Sequence, residues 1–564
     1  MTANPNDPDD LRLRAEDWLA DDPDPATRDE LRALLDRLPG SAAELADRFA
    51  GPLTFGTAGL RGALRAGPNG MNLAVVTQAA AGLVGWLAAR DATGPLVIGY
   101  DARHGSRTFA ERTAQIATGA GRPALLLPRP LPTPVLAYAV RALGAAAGVM
   151  VTASHNPPQD NGYKVYLGAE LGGPRGAGAQ IVPPADTEIE AAIRAVGRLH
   201  DVPLGPAGEV LGDDLVAGYV ASAVAVLDPE GPRGLKVAYT PLHGVGGAVL
   251  TAAFARAGFG VPGIVAEQAE PDPDFPTVAF PNPEEPGAVD RLVALASGIG
   301  ADLAIANDPD ADRCAVAVAD PDGRWRMLRG DELGVLLADQ LVRRGVTGLY
   351  ATTIVSSSLL RAICAARGLP YDETLTGFKW IVRAESGDAP LVYGYEEALG
   401  YCVAPDRVRD KDGITAALVV AELAAGLKAE GRTLLDRLDE LAAEFGVHLT
   451  DQLSVRVDDL GRIRELMAGL RADTPTRLLD APVTSAQDLL PASDVLVLRT
   501  DTARVVIRPS GTEPKLKAYL EVVEPVDGPD RPAEVAATVA AARRRAGDKL
   551  TRLRAEIATA LGLG

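Results

Sequence analysis

Short apolar runs that alternate with helical stretches, from Leu96 to Gly426, constrain this chain more than any other feature. Leu96–Tyr100 reads as a strand, Ser106–Thr118 as a helix, Ala124–Leu127 as a strand, Thr133–Leu143 as a helix and Ala147–Val151 as a strand. Such alternation builds βαβ units around a mainly parallel sheet. The pattern restarts at Leu235–Tyr239, continues through a Gly244–Gly247 turn and an Ala248–Ala257 helix, and adds a strand at Leu303–Ala306. It restarts again with strand Leu349–Ala351, helix Ser356–Arg367, strand Leu391–Gly394 and helix Gly413–Gly426. Ahead of these units lie helices Asp9–Leu19 and Pro25–Leu38, the second with Thr27 as candidate cap, and a Gly56–Gly62 loop too glycine-rich for a helix or strand interior. The last part differs: strands Leu453–Val457, Asp494–Arg499, Ala503–Ile507 and Leu516–Val523, a hairpin turn at Thr500–Thr502, and helices Leu460–Arg471 and Pro532–Leu561. The fold class is therefore α/β, with three consecutive α/β mixed-sheet domains and a C-terminal α+β domain. The divisions fall at 1–205, 206–322, 323–445 and 446–564, which suits 564 residues at roughly 100–200 per domain.

Open α/β sheets place ligands at the carboxyl ends of their strands. Four polar segments sit at strand ends. Thr152-Ala153-Ser154-His155-Asn156-Pro157 follows one strand, with Asn161, Gly162 and Lys164 adding polar groups to the same loop. Ser154 is placed to be a nucleophile, although a Ser/Asn/Pro turn without chemistry has the same composition. Asp308-Pro309-Asp310-Ala311-Asp312-Arg313 follows Leu303–Ala306. Three carboxylates at alternate positions repel one another unless a hard divalent cation joins them, and oxygen ligands favour Mg²⁺, Ca²⁺ or Mn²⁺. An EF-hand is excluded, because Arg313 stands where that loop needs Gly and Ala319 where it needs Glu.

The third segment, Gly394-Tyr395-Glu396-Glu397-Ala398-Leu399-Gly400, offers carboxylates to sugar hydroxyls; Lys379 lies just upstream, between Phe378 and Trp380. A solvated loop accounts for these charges equally well. The fourth, Arg508-Pro509-Ser510-Gly511-Thr512-Glu513-Pro514-Lys515, gathers donors for an oxyanion: Arg bidentately, Lys as a point charge. That gathering matters in a chain of net charge −19, which repels nucleic acid, anionic lipid and phosphorylated ligands alike. Three cysteines without a C-x-x-C pair give no disulfide framework and fit a reducing cytoplasm. No stretch is long and apolar enough to span a bilayer. No Walker A run, complete G-x-G-x-x-G or hydrolase elbow occurs; His104 and His243 read as loop or packing residues.

Together these segments resemble the α-D-phosphohexomutase superfamily, which includes phosphoglucomutase and phosphomannomutase. T-A-S-H-N-P resembles its phosphoserine loop, D-P-D-A-D-R its metal loop, G-Y-E-E-A-L-G its sugar loop and R-P-S-G-T-E-P-K its phosphate loop. G-T-A-G-L-R-G resembles the N-terminal loop that carries an arginine to the active site. The resemblance spans about Gly56 to Val523 and implies four domains around one central cleft. It implies an intramolecular phosphotransferase that interconverts sugar 1- and 6-phosphates through phosphorylated Ser154 and a bisphosphorylated intermediate. One Mg²⁺ per chain would be held by Ser154, Asp308, Asp310 and Asp312, and glucose 1,6-bisphosphate or a similar compound would prime the enzyme. Lys164 and Arg61 would assist proton transfer, Lys164 with a lowered pKa, and His155 would contact the reacting phosphate. Arg313, Lys379 and Glu396 would face the sugar; Arg508, Ser510, Gly511, Thr512 and Lys515 would grip the second phosphate.

One position departs from the phosphoglucomutase pattern E-x-S: the serine is Ala398 here. The sequence E-E-A, with T-G-F-K-W and N-G-Y-K-V-Y, is similar to the branch with phosphopentomutase and glucose-1,6-bisphosphate synthase activity. Two other readings compete. A haloacid-dehalogenase-type phosphatase would use Asp308 and Asp310 but gives Ser154 no role, and a non-catalytic sugar-phosphate sensor leaves Ser154, Lys164 and the aspartates without purpose. The expected protein is cytoplasmic, a monomer or homodimer, and acts on a phosphorylated sugar without nucleic acid or membrane.

Overall fold

A computed structural model describes residues 7–457, 460–510, 515–526 and 535–563. The chain forms two compact units, residues 1–328 with 399–426, and residues 329–398 with 427–564.

The first unit opens with helices Pro8–Asp21 and Pro25–Leu35. Asp24, not Thr27, caps the second: its carboxylate accepts the Ala26 N–H at 2.9 Å, while Thr27 donates to Asp22. An aspartate just before Pro25 outcompetes a hydroxyl already inside the first turn. Helix Leu73–Ala88, which the sequence pattern did not disclose, is buried on nearly all faces, so it carries no polar stripe to mark its period. The first sheet runs in the order Leu60–Ala63, Asp160–Leu167, Ala147–Val151, Leu96–Tyr100, Ala124–Leu126, Glu209–Val210. Its last four strands are parallel, but Asp160–Leu167 is antiparallel to both its neighbours.

Two loop assignments change accordingly. Part of the Gly56–Gly62 segment is strand Leu60–Ala63, and Asn161, Gly162 and Lys164 lie on a strand. Asp160-Asn161-Gly162 has turn chemistry, but pairing with Arg61–Ala63, continued by Lys164–Leu167 against Ala147–Met150, overrides that local preference. Gly59 permits the approach: with φ +74°, it would carry a Cβ only 1.8 Å from the Tyr163 carbonyl oxygen. A second sheet runs Trp325–Met327, Ala315–Ala319, Leu303–Ala306, Val237–Thr240, Gly263–Ile264, with the last three parallel.

In the second unit, Leu349–Thr353 lies between Tyr371–Thr374 and Leu391–Glu396, all parallel. Strand Leu391–Glu396 includes Glu396, expected in the loop beyond it. The C-terminal sheet is wholly antiparallel, in the order Val447–Arg456, Lys515–Glu524, Ala503–Pro509, Leu496–Arg499, Ser485–Asp488. Thr500 closes the expected hairpin by donating its N–H to the Ala503 carbonyl at 2.8 Å. Helices Leu460–Ala472 and Val535–Ala560 are segregated from the strands, as in α+β folds. The three cysteines are free and buried, and no helix among the described residues is long and apolar enough to cross a membrane.

Candidate active site

The first unit gathers eight of the candidate residues. Ser154 follows strand Ala147–Val151 in the left-handed region, φ +52°, an uncommon place for a residue with a Cβ. Its hydroxyl is buried, donates to Asp308 at 2.7 Å and lies 3.2 Å from His155 Nδ1. Asp308, Asp310 and Asp312 follow strand Leu303–Ala306, are all buried, and offer oxygens within 4.8 Å of one another. The loop that carries them rests on the Gly244 turn: Val245 donates its N–H to the Pro309 carbonyl at 2.8 Å. A Cβ on Gly244 would meet Pro309 Cα at 2.3 Å, so this glycine keeps the aspartate loop against its bed rather than binding a nucleotide.

Buried carboxylates this close need cations. Lys164 Nζ lies 2.8 Å from Asp310 and 3.4 Å from Asp312, and Lys411 Nζ lies 3.2 Å from Asp312. Register shows why Arg61 joins them. Arg61 pairs with Gly162, two residues before Lys164, so Arg61 and Lys164 project from one face of the sheet. Arg61 donates to Asn156 at 3.0 Å, and Arg313 Nε lies 4.0 Å from Asp312.

The electrostatics follow from this packing. Burial and the charges of Asp310 and Asp312 hold the Asp308 carboxyl well above its ordinary range. Burial pushes Asp310 the same way, but the Lys164 ammonium overrides it and holds Asp310 low. Burial, with the positive charges of Arg313 and Arg61, keeps the His155 imidazole well below its usual value, hence neutral. Burial alone would lower Lys164, but Asp310 and Asp312 outweigh it and the net shift is upward. The lowered Lys164 pKa expected from the sequence is therefore reversed, because its nearest neighbours are two carboxylates rather than Arg61.

The donor set fits a hard divalent ion. Asp310 Oδ1 and Asp312 Oδ1 are buried and accept no hydrogen bond among the described residues, while the other oxygen of each is engaged by Lys164. Buried acceptors left unpaired are costly unless an ion takes them. Thr133 fixes one of these carboxylates: its hydroxyl donates to Asp310 Oδ2 at 2.7 Å and its N–H to the Asp310 carbonyl at 2.9 Å.

Sequence reasoning missed Thr133 and Lys411, and also Asp101 and Arg103, whose bonds run to the Ser154 loop. Asp101-Ala102-Arg103 at the end of strand Leu96–Tyr100 was the available signal, a charged pair at a strand's carboxyl end. Buried His243 bonds Thr277, in keeping with a packing role, whereas exposed His104 bonds Asp274, far along the chain.

The remaining candidates lie in the second unit. Lys379 is on the short helix Phe378–Ile381, and Glu396 ends strand Leu391–Glu396. Arg508 sits on strand Ala503–Pro509 opposite Lys517, and Ser510 donates its N–H to the Lys515 carbonyl at 2.8 Å. Burial and the negative charges of Glu397 and Glu396 raise the nearby Tyr519 hydroxyl, while Arg508 opposes them. Gly511 and Thr512 lie outside the described residues.

The sequence matches the phosphoglucomutase/phosphomannomutase family in four successive parts. Residues 52–198, 217–323 and 329–445 match its alpha/beta/alpha domains I, II and III, and residues 453–540 match its C-terminal domain. The chain is 47% identical over 460 residues to a probable phosphomannomutase of Haemophilus influenzae, covering 80% of this chain and 93% of the relative. It is 34% identical over 588 residues to a phosphopentomutase of Mus musculus, covering 92% of each. A candidate phosphomannomutase from Thermus thermophilus, known from a crystal structure, superposes with a TM-score of 0.67 at 26% identity, covering 88% of this chain and 99% of that one. With this coverage the chain belongs to the phosphoglucomutase/phosphomannomutase family and is a phosphosugar mutase, an intramolecular phosphotransferase.

Proposed function

We propose that the enzyme interconverts a hexose 1-phosphate and 6-phosphate through phosphorylated Ser154 and a bisphosphorylated sugar. One observation carries this reading: a buried serine hydroxyl sits 2.7 Å from Asp308 in a carboxylate triad where Asp310 and Asp312 each keep one oxygen without a hydrogen bond among the described residues. Asp308, Asp310, Asp312 and the serine phosphate would hold one Mg²⁺, which when bound neutralises charge on the phosphoryl oxygens. The remainder is positioning and electrostatics by the chain itself.

In the first half-reaction, the free sugar hydroxyl oxygen bonds to phosphorus as the P–Oγ bond of Ser154 breaks. The proton lost by that hydroxyl is balanced by the proton Oγ gains. Lys164 and Arg61 assist its passage, and neutral His155, 3.2 Å from Oγ, contacts the reacting phosphate. The bisphosphorylated sugar then turns and returns its other phosphoryl group to Ser154. Arg313, Lys379 and Glu396 read the sugar. Arg508, Ser510, Gly511, Thr512 and Lys515 take the phosphate not being transferred, and glucose 1,6-bisphosphate serves as primer. The three free, buried cysteines support a cytoplasmic location for the enzyme.

A second substrate class, pentose 1- and 5-phosphates, is favoured by Ala398, which withholds a hydroxyl from the sugar loop, and by the 34% identity to a phosphopentomutase. Rates on glucose, mannose, ribose and deoxyribose 1-phosphates, with Mg²⁺ and a trace of glucose 1,6-bisphosphate, separate the two. A hexose preference upholds the proposal, and a pentose preference replaces it with the second reading. Ser154→Ala should abolish turnover; an active Ser154→Ala enzyme would end the phosphoserine mechanism.

A further inference from the structure

Ser154 holds a backbone conformation that L-residues seldom adopt, so something must hold it there. The contacts converge on one buried ion pair. Arg103, 4% exposed, directs its guanidinium to backbone carbonyls. One terminal nitrogen donates to Ser154 at 2.6 Å and Asn156 at 2.5 Å, the other to Pro157 at 2.8 Å and Asp160 at 3.1 Å. The Asp101 carboxylate lies 3.4 Å from Arg103 Nε and accepts the Arg103 N–H at 3.0 Å. It also accepts the hydroxyls of Ser106 and Thr152, each at 2.6 Å. Thr152 Oγ1 in turn accepts the Ser154 N–H at 2.9 Å. The peptide groups on both sides of Ser154 are thus tied to Asp101 and Arg103, the N–H through Thr152 and the carbonyl directly. Phe275 covers the guanidinium, its ring centroid 4.9 Å away.

We propose that the Asp101–Arg103 pair is the positioning device of the phosphoryl-carrying serine. It fixes Ser154 Oγ against Asp308 without touching the sugar. This rests on Ser154 being the phosphoryl carrier. A guanidinium suits the task and an ammonium does not, because its planar fork reaches several carbonyls at set angles. The pair should act on turnover and leave substrate affinity alone, since misplacement on the order of 1 Å costs about 100-fold in rate.

The test uses the full-length enzyme with Arg103→Lys, Arg103→Ala and Asp101→Asn. It reads kcat and KM, the thermal midpoint, and transfer of radiolabelled phosphate from glucose 1,6-bisphosphate to Ser154. Arg103→Lys should fold, keep KM, and lose about 100-fold in both kcat and the labelling rate. Free guanidinium at millimolar concentration should restore part of the Arg103→Ala rate by filling the vacated fork. Wild-type kcat and labelling in Arg103→Lys would overturn the proposal, as would a rise in KM with kcat unchanged. Failure of all three variants to fold would also overturn it, making the pair a structural element only. If the wild-type enzyme takes no label on Ser154, the phosphoserine reading fails instead. A labelled wild type beside an unaffected Arg103→Lys defeats this inference alone.

Discussion

Replacing Asp308 by Asn should make the metal-free protein more stable while removing its response to Mg²⁺. Asp308, Asp310 and Asp312 are buried with oxygens all within 4.8 Å. At that separation two unit charges repel by about 3.5 kcal/mol at an effective dielectric of about 20. Asp310 and Asp312 have lysines beside them, whereas Asp308 accepts the Ser154 hydroxyl at 2.7 Å and the Arg313 backbone N–H at 3.0 Å, with the neutral His155 ring 4.0 Å away. Proton uptake by Asp308 relieves part of the repulsion and caps its cost. At about 1.4 kcal/mol per pH unit above an ordinary carboxyl value, that cap is about 5 kcal/mol near pH 7.5. Asparagine can keep its oxygen on the Arg313 backbone N–H and donate its amide N–H to Ser154 Oγ, and it removes the charge, so the gain should fall between about 1 and 5 kcal/mol. The assay is thermal unfolding in EDTA and in saturating Mg²⁺, read as midpoints because a chain of several domains need not unfold in two states. Wild type should gain about 2.7 kcal/mol at a hundredfold excess of Mg²⁺ over Kd; Asp308→Asn should gain none. A variant that melts below wild type in EDTA, or that keeps the Mg²⁺-induced rise, refutes the reasoning.

Three further predictions follow from the same structure. Thr133→Val removes the hydroxyl that orients Asp310 and should weaken Mg²⁺ binding by about 10-fold or more in a calorimetric titration, with the fold retained. In the second unit, Glu521 pairs with cross-strand Arg504 at 3.0 Å and accepts from Ser357 and Ser358; Glu521→Ala should cost about 3–5 kcal/mol, seen as faster hydrogen exchange along Lys515–Glu524. Burial, opposed by the Ser357 N–H but helped by the charge of Glu521, raises Asp331 to about 6. Folding thus binds a proton there, so stability present below about pH 4 falls as pH rises through about 6, by about 3 kcal/mol. Asp331→Asn should flatten that slope in thermal midpoints taken from about pH 4 to 7, and an unchanged slope would count against the assignment.

The parts of the site legible in the sequence were those whose spacing is itself chemical. Alternate aspartates after an apolar run concentrate negative charge that a cation relieves, and Asp308, Asp310 and Asp312 do converge. Lys164 was recognisable as a residue but not in its setting. Its strand begins with turn-like Asp160-Asn161-Gly162, and only pairing with Leu60–Ala63 and Ala147–Val151 makes it extended. Thr133 and Lys411 were silent because their partners lie far off in the chain; the fold alone brings Thr133 to Asp310 or Lys411 to Asp312. Helix Leu73–Ala88 was silent for the opposite reason, being too uniformly apolar to show a face.

Strand Asp160–Leu167 limits how such an enzyme can vary. Side chains alternate along it, with Lys164 opposite Met150 and aimed at the carboxylates while Tyr163 and Val165 enter the core. A slip of one residue would exchange those roles, turning the lysine into the apolar interior and a core residue toward the charges. The turn Pro157–Gln159 that precedes the strand can therefore exchange its residues freely but not its length. An insertion or deletion there that shifted the strand would carry Lys164 away from the carboxylates, while a substitution that kept the length would not.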